Sequence, residues 1–421
     1  MDTTALRLYG KNDLRLERFE LPPIAEDEML VKLISDSLCM SSYKATIRGA
    51  DHKRVPDDVS DNPTVLGHEF CGEIIEVGEK WKGKYSPGQR FVIQPGMKET
   101  YDAIGYSFRY MGGDMTYGII PALVIEGGYV LPYQGDAFFF GSLTEPLSCV
   151  IGASHANYHT RHGEYTHIME TVKGGRIAAL AVAGPMGLAL LDYLIHRENR
   201  PKLLVATDID AGRLARAAEI ISPEEAAKLG VRLVYVNTGA LDDPVKSLRE
   251  LTDGEGFDDV FVFAPVAQVV EQGDAILAYD GCMNFFAGPG DEEFRAPFNF
   301  YDVHYNATHL TGTSGGNTDD MVEALDMATN GLINPAILVS HIGGLDSAKE
   351  ATLNLPSLPG AKKLIYNHIS MPLTAIADFE EKGKTDPLFA KLHELCAAHG
   401  GLWNPEAERY LLENAKALDI Q

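Results

Sequence analysis

The chain has 421 residues, 45% of them hydrophobic, and carries 60 acidic against 36 basic side chains, a formal charge of −24. That length allows two domains, each with its own core. A field so negative repels phosphate backbones and anionic lipid, so neither nucleic acid nor a membrane is expected as a partner, and an anionic substrate has to be caught by a local basic patch.

The opening MDTTALRLYGKNDLRLE is charged throughout and lacks an apolar segment, so no secretory signal is expected. No later stretch approaches a membrane span. Cysteines at 39, 71, 149, 282 and 396 are odd in number, widely spread and without a C-x-x-C pair. This fits a reducing cytoplasm better than a disulfide framework.

Residues 1–155 read as one strand-rich domain, because short apolar runs (EMLVKLISDSL, GEIIEVGEKW, QRFVIQPG, GGYVLPY) are punctuated by Gly and Pro. Within it, NPTVLGHEFCGEIIEVGEKW sets His68 and Glu69 between β-prone flanks that predict burial. Burying that pair is costly unless something else pairs with both. Cys39, in DSLCMSSYK at the end of an earlier apolar strand, can reach the same point. Zinc takes imidazole, thiolate and carboxylate, although a lone buried histidine or cysteine is more often structural.

Residues 156–318 change character. From GGRIAALAVAGPMGLALLDYLIH onward, buried strands (KLLVATDID, VRLVYVNT, FDDVFVFAP, CMNFFAG) alternate with amphipathic helices, the pattern of a doubly wound parallel sheet in an α/β domain. Gly184, Pro185, Met186 and Gly187 lie where the first strand turns into a helix, whose free N–H groups can hold a pyrophosphate. Val182 replaces the first glycine of G-x-G-x-x-G, so the fingerprint is incomplete. Asp208 closes the next strand about 20 residues on, where a carboxylate accepts the ribose hydroxyls of NAD(H) and repels a 2′-phosphate. Asp210 takes that place if the strand ends later, and Arg213 leaves room for NADP(H). In residues 319–421 the pattern turns mixed, with AKKLIYN as a strand returning to the first domain, then DPLFAKLHELCAAHG and PEAERYLLENAKAL as a helical extension.

GHEFCGEIIEVG resembles the G-H-E signature of the zinc-containing medium-chain alcohol and polyol dehydrogenases. Cys39, PGQRFVI, GGDMTYGIIPA, EPLSCVIGA, AGPMG and GTSGG follow in that family's order over most of the chain. The EPLSC element is similar to the sorbitol-dehydrogenase branch. TTALRLYGKNDLRLERFELP and DSLCMSS look most like the L-sorbose-1-phosphate reductases, which interconvert that sugar phosphate and D-glucitol 6-phosphate. The resemblance implies a GroES-like catalytic domain joined to a Rossmann domain. It implies one catalytic zinc held by Cys39, His68 and Glu69, with Glu145 coordinating directly or through water, and Ser41 passing the substrate proton. Hydride then moves between NAD(P)H and a keto carbon under domain closure, in a homo-oligomer, dimer or tetramer.

The chain departs from the pattern at Met40, Ser42 and Lys44, where the family carries Gly, Asp and a nearby His. The support of the histidine ligand and the proton's way to solvent are thereby open. Gln94 to Met111 contains no cysteine, so no second, structural zinc is expected. His155, His159, His162 and His167, around NYHTRHGEYTHIMETVKGG, are expected to be loop histidines in solvent. The basic run YKATIRGADHKR offers Lys44, Arg48 and Lys53, with His52 and Arg54, as candidates for a substrate phosphate. Alternatives are a zinc dehydrogenase for an unphosphorylated polyol or amino alcohol, and a catalytically silent cofactor-binding relative.

Overall fold

A computed structural model describes residues 1–419. The chain divides into two compact units, one formed by Met1–Glu145 with the described part of Leu338–Gln421, the other by Pro146–Ile337. These edges differ from 155 and 318, and the reason is local packing. The helix Thr144–Ala156 belongs mostly with the second unit: Asn284 donates to the Ala153 carbonyl, and Asn157 donates to Asp259. The helix Thr318–Thr329 follows through Asp320, which meets His155.

In the first unit the strand Met29–Ser37 is the spine of an eight-stranded sheet, paired antiparallel with Phe70–Val77 on one side and Lys362–Tyr366 on the other. Its apolar residues Met29, Val31 and Leu33 pack with Ile74, Phe91 and Ile120. Three chain segments therefore arrive at one place. Met29–Ser37 ends just before Cys39, Phe70–Val77 begins just after Glu69, and Lys362 opens its own strand. Backbone bonds Ser37 N–Glu69 O and Leu38 N–Lys363 O, each 2.9 Å, lock these ends together. Gly67 has φ of 90°, and a Cβ there would lie 2.5 Å from the Asp114 nitrogen, so the residue before His68 has to be glycine. The C-terminal extension forms the helices Phe379–Gly383, Pro387–Ala397 and Pro405–Asn414 around buried Trp403.

The second unit is a six-stranded, all-parallel sheet in the order Arg232–Asn237, Leu203–Asp208, Arg176–Leu180, Phe257–Val262, Leu277–Phe285, His309–Thr311. Near-continuous apolar strands are what a sheet covered on both faces demands, and Leu203 to Asp208 are all buried. The order reverses at Arg176–Leu180, the position where doubly wound sheets bind ligands beyond the strands' carboxyl ends.

Of the four histidines expected in solvent, one is buried and another, though 39% exposed, is held by carboxylates. His159 is buried, with Nε2 3.1 Å from Asp259 and Nδ1 2.9 Å from the Asp280 carbonyl. His155 bridges Asp320 at 2.7 Å and Glu323 at 3.3 Å. Their carboxylate partners lie 100 residues or more away in sequence, beyond the reach of local pattern. His162 and His167 are exposed, His167 stacking on Tyr158. Among the described residues no helix is long and apolar enough to cross a membrane.

Candidate metal and cofactor sites

Cys39 is the N-cap residue of the helix Met40–Arg48, but its side chain makes no capping bond. The thiol is left to face His68 and Glu69 instead, and one donor atom from each of the three lies within 4.8 Å of the others. Among the described residues this is the only such group. Ser41 Oγ sits 2.8 Å from Cys39 Sγ. Ser42, where the family's Asp is missing, places its hydroxyl 3.4 Å from His68 Nδ1, so the ring keeps a polar partner on that side. Lys362 forms an ion pair with one oxygen of Glu69. The other oxygen, Oε2, is buried without a partner.

Electrostatics fit a cation here. Burial pushes the Cys39 thiol up and His68 down, and raises Glu145 to about 7, with His68 opposing the rise and Glu69 adding to it. Glu145 lies outside the tight group of three but within its field, in the first turn of Thr144–Ala156. A thiol, an imidazole and an orphaned carboxylate oxygen gathered where anions are desolvated form a donor set suited to zinc.

In the second unit, Gly184 is the N-cap of the helix Pro185–His196, with Pro185 at its first position. A Cβ on Gly184 would meet nothing within 4 Å, which leaves the helix start open to a ligand. Gly187 is tight: a Cβ there would come 2.0 Å from the Val182 carbonyl, so this glycine serves helix–strand packing. Met186 lies between them in the first turn. Asp208 does end its strand, and its carboxylate accepts from the Ala183, Ile209 and Asp210 nitrogens at 3.2, 2.9 and 3.1 Å. Asp210 instead caps the helix Ala211–Ile220 through the nitrogen of exposed Arg213.

The alcohol dehydrogenase GroES-like domain matches residues 25–130, and the zinc-binding dehydrogenase family matches residues 185–330. The chain is 50% identical over 413 residues to mannitol-1-phosphate 5-dehydrogenase of Aliivibrio fischeri, covering 98% of this chain and 97% of that protein. It belongs to the zinc-containing medium-chain dehydrogenases. This dehydrogenase is also 47% identical over 416 residues to L-sorbose 1-phosphate reductase of Klebsiella pneumoniae, covering 98% of each. Its fold is that of 2R,3R-butanediol dehydrogenase from Bacillus subtilis, with TM-score 0.67 and 21% identity over 86% of this chain and 99% of the other. Zinc and a nicotinamide dinucleotide are the cofactors of the dehydrogenase.

Two residues of the zinc-donor neighbourhood escaped the sequence reading. Lys362 comes from a strand nearly 300 residues after Glu69, and nothing in AKKLIYN marks it. Tyr106 is buried with its hydroxyl 3.4 Å from His68 Nε2 and its ring 5.0 Å from the imidazole. The spacing of YDAIGYSFRY gives no hint of this. Of the basic residues read as phosphate candidates, Lys44 and Arg48 lie on the helix after Cys39, whereas Lys53 and its neighbour Arg54 line a cavity with Gly96–Asp102.

Proposed function

We propose that the dehydrogenase transfers hydride between NAD(H) and the keto carbon of a six-carbon sugar phosphate, with Cys39, His68 and Glu69 as zinc ligands and Glu145 as an adjustable fourth group. The observation that carries the reading is the donor set within 4.8 Å, with Oε2 of Glu69 unsatisfied. Sugar phosphate is favoured because relatives at 50% and 47% identity over nearly the whole chain are named for such substrates. L-Sorbose 1-phosphate to D-glucitol 6-phosphate, and the mannitol 1-phosphate couple, are the two reactions to compare.

When bound, zinc supplies Lewis-acid polarisation of the substrate oxygen, and the nicotinamide supplies or accepts hydride. The chain's own residues do the remaining work. Ser41, hydrogen-bonded to the Cys39 sulfur, carries the substrate-hydroxyl proton, and Tyr106 sits beside the same imidazole to continue the relay. Lys362 holds one oxygen of Glu69 and so turns the other toward the donor group. Gly184 to Gly187 present helix-start N–H groups to the pyrophosphate. The Asp208 carboxylate, with lone pairs left beyond its three backbone bonds, takes the ribose hydroxyls, which favours NAD(H) over NADP(H) despite Arg213 nearby.

A homo-oligomer belongs to this reading. Leu310 on the edge strand His309–Thr311, and Phe300, Tyr301 and Tyr305 on the helix before it, are all more than half exposed. Sedimentation of purified protein tests that point. The decisive experiment is an initial-rate screen with NADH and NADPH against ketoses with and without phosphate, alongside zinc content. Turnover of a ketose phosphate by zinc-loaded enzyme is expected. Faster turnover of the unphosphorylated sugar refutes the substrate class.

A further inference from the structure

Resting on the sugar-phosphate reading above, we propose that the substrate's phosphate is bound by Arg54, Lys53 and Lys98 across a cavity of about 420 Å³ in the first unit, rather than by Lys44 and Arg48 on the preceding helix. Lys53 and Arg54 form one wall of that cavity, and the stretch from Gly96 to Asp102, including Lys98, forms the other.

The cavity is tied to the zinc-donor group by a single side chain. Tyr106 has its hydroxyl 3.4 Å from His68 Nε2, while its ring lies under the Arg54 guanidinium, with Cζ 5.5 Å from the centroid. Arg54 Nη2 stands 3.9 Å from where a Cβ on Gly96 would be, so its fork reaches across to the opposite wall. One tyrosine thus separates the donor group from the basic wall. A ketose with its carbonyl beside the first can present a phosphate to the second.

The cations themselves are unspent. Acidic residues outnumber basic ones 60 to 36 in this chain, and Lys80, Lys82, Lys228 and Lys384 all hold carboxylates. The head groups of Lys53, Arg54 and Lys98, by contrast, have no hydrogen-bond or ion-pair partner among the described residues. The local field is positive. His52, stacked on the same Tyr106 ring at 5.5 Å, is held down at about 4, first by burial and then by Arg54, Arg48, Lys53 and Lys44. Two carboxylates share the cavity wall: Glu99 already accepts from the Tyr129 hydroxyl at 2.6 Å, and Asp102 is exposed. A phosphate dianion with three acceptor oxygens matches a forked guanidinium flanked by two ammonium groups, whereas an unphosphorylated polyol offers these cations no charge.

The test compares Arg54→Ala and Lys98→Ala with wild type, using a ketose phosphate, the same ketose without phosphate, and inorganic phosphate. Arg54→Ala should raise KM for the phosphorylated sugar about tenfold or more and leave KM for the free sugar within about twofold. Lys98→Ala should act in the same direction more weakly. Raising ionic strength should increase wild-type KM for the phosphorylated sugar only. Equal effects of Arg54→Ala on both sugars overturn the proposal, as does a larger phosphate-specific effect from Lys44→Ala or Arg48→Ala. If wild type reduces no sugar phosphate, the functional reading fails, and inorganic phosphate alone still judges the cavity. Phosphate should raise the melting temperature of wild type more than that of Arg54→Ala, and equal shifts remove the site.

Discussion

Glu408 offers a quantitative check on how the C-terminal extension is joined to the catalytic unit. Its side chain is buried on the helix Pro405–Asn414 and accepts from the Phe138 and Phe139 nitrogens at 2.7 and 2.8 Å and from the Tyr366 hydroxyl at 2.8 Å. Tyr366 in turn accepts from Trp403 Nε1. Replacing Glu408 by Ala leaves three buried donors unpaired at about 1–3 kcal/mol each, so a loss of about 3–9 kcal/mol is expected. The charge itself adds a pH signature. Burial raises this carboxyl from 4.5 to about 7, against the hydrogen bonds that lower it. A folded pKa above the unfolded value means the contribution is fully present below about pH 4.5 and is lost as pH rises through about 7, a span worth about 3 kcal/mol. Glu408→Gln carries no charge, so its deficit relative to wild type should shrink from pH 5 to pH 8 as the wild type weakens. Urea unfolding in a Trp81→Phe background makes Trp403 the sole tryptophan and places the probe inside the network. The helix Phe138–Ser142 leads directly to Glu145, so kcat of Glu408→Ala should also fall. An Ala variant within about 1 kcal/mol of wild type, or parallel pH profiles for wild type and Gln, would refute the reasoning.

Three further outcomes are expected. Purified enzyme should contain about one zinc per chain, and Cys39→Ser should lose most of it together with activity; full retention of metal by the Ser variant counts against the donor set. Asp208→Ala should narrow the preference for NADH over NADPH, while Asp210→Ala should leave preference alone and cost about 1 kcal/mol as a lost helix cap, so the reverse pattern reassigns the ribose carboxylate. For His159, burial lowers the pKa but the Asp259 hydrogen bond and charge outweigh it, and the net shift is upward. Its contribution is therefore present below about pH 6.5 and lost as pH rises through the folded value, and His159→Gln should flatten that decline in thermal melts.

What could be read from the sequence was what local spacing encodes. The parallel sheet announced itself through buried strands alternating with helices, and the strand-to-helix turn through Gly184 and Gly187, which differ in having open space at one and a 2.0 Å approach at the other. Cys39, His68 and Glu69 were legible because each lies one or two residues from the end of a strand, where side chains from neighbouring strands meet. Long-range partners were not. The acidic partners of His155 and His159, the hydroxyl of Tyr106 and the Glu408 network all depend on pairings between segments far apart in the chain, and no period in the sequence records them. The unit edges differ for the same reason, since Thr144–Ala156 looks like the tail of a β-rich region until Asn157, which follows it, is seen bonded to Asp259.

Lys362 shows what such a distant residue contributes. Burial pushes the Cys39 thiol up and His68 down, and raises Glu145 to about 7. Glu69 is almost without solvent, and the Lys362 ammonium, itself only 11% exposed, pairs with it. Burial alone would lower the lysine's pKa, but Glu69, Cys39 and Glu145 together hold it raised, so the cation persists. Were zinc held here, a Cys39 thiolate and a Glu69 carboxylate would offset its charge, leaving Lys362 to face Glu145. An isolated buried Glu69 would leave an uncompensated charge in low dielectric, and its ion pair with Lys362 prevents that. The strand Lys362–Tyr366 returns to the sheet beside Met29–Ser37, and that pairing is what brings the cation to a donor group whose three residues all lie in the first 69.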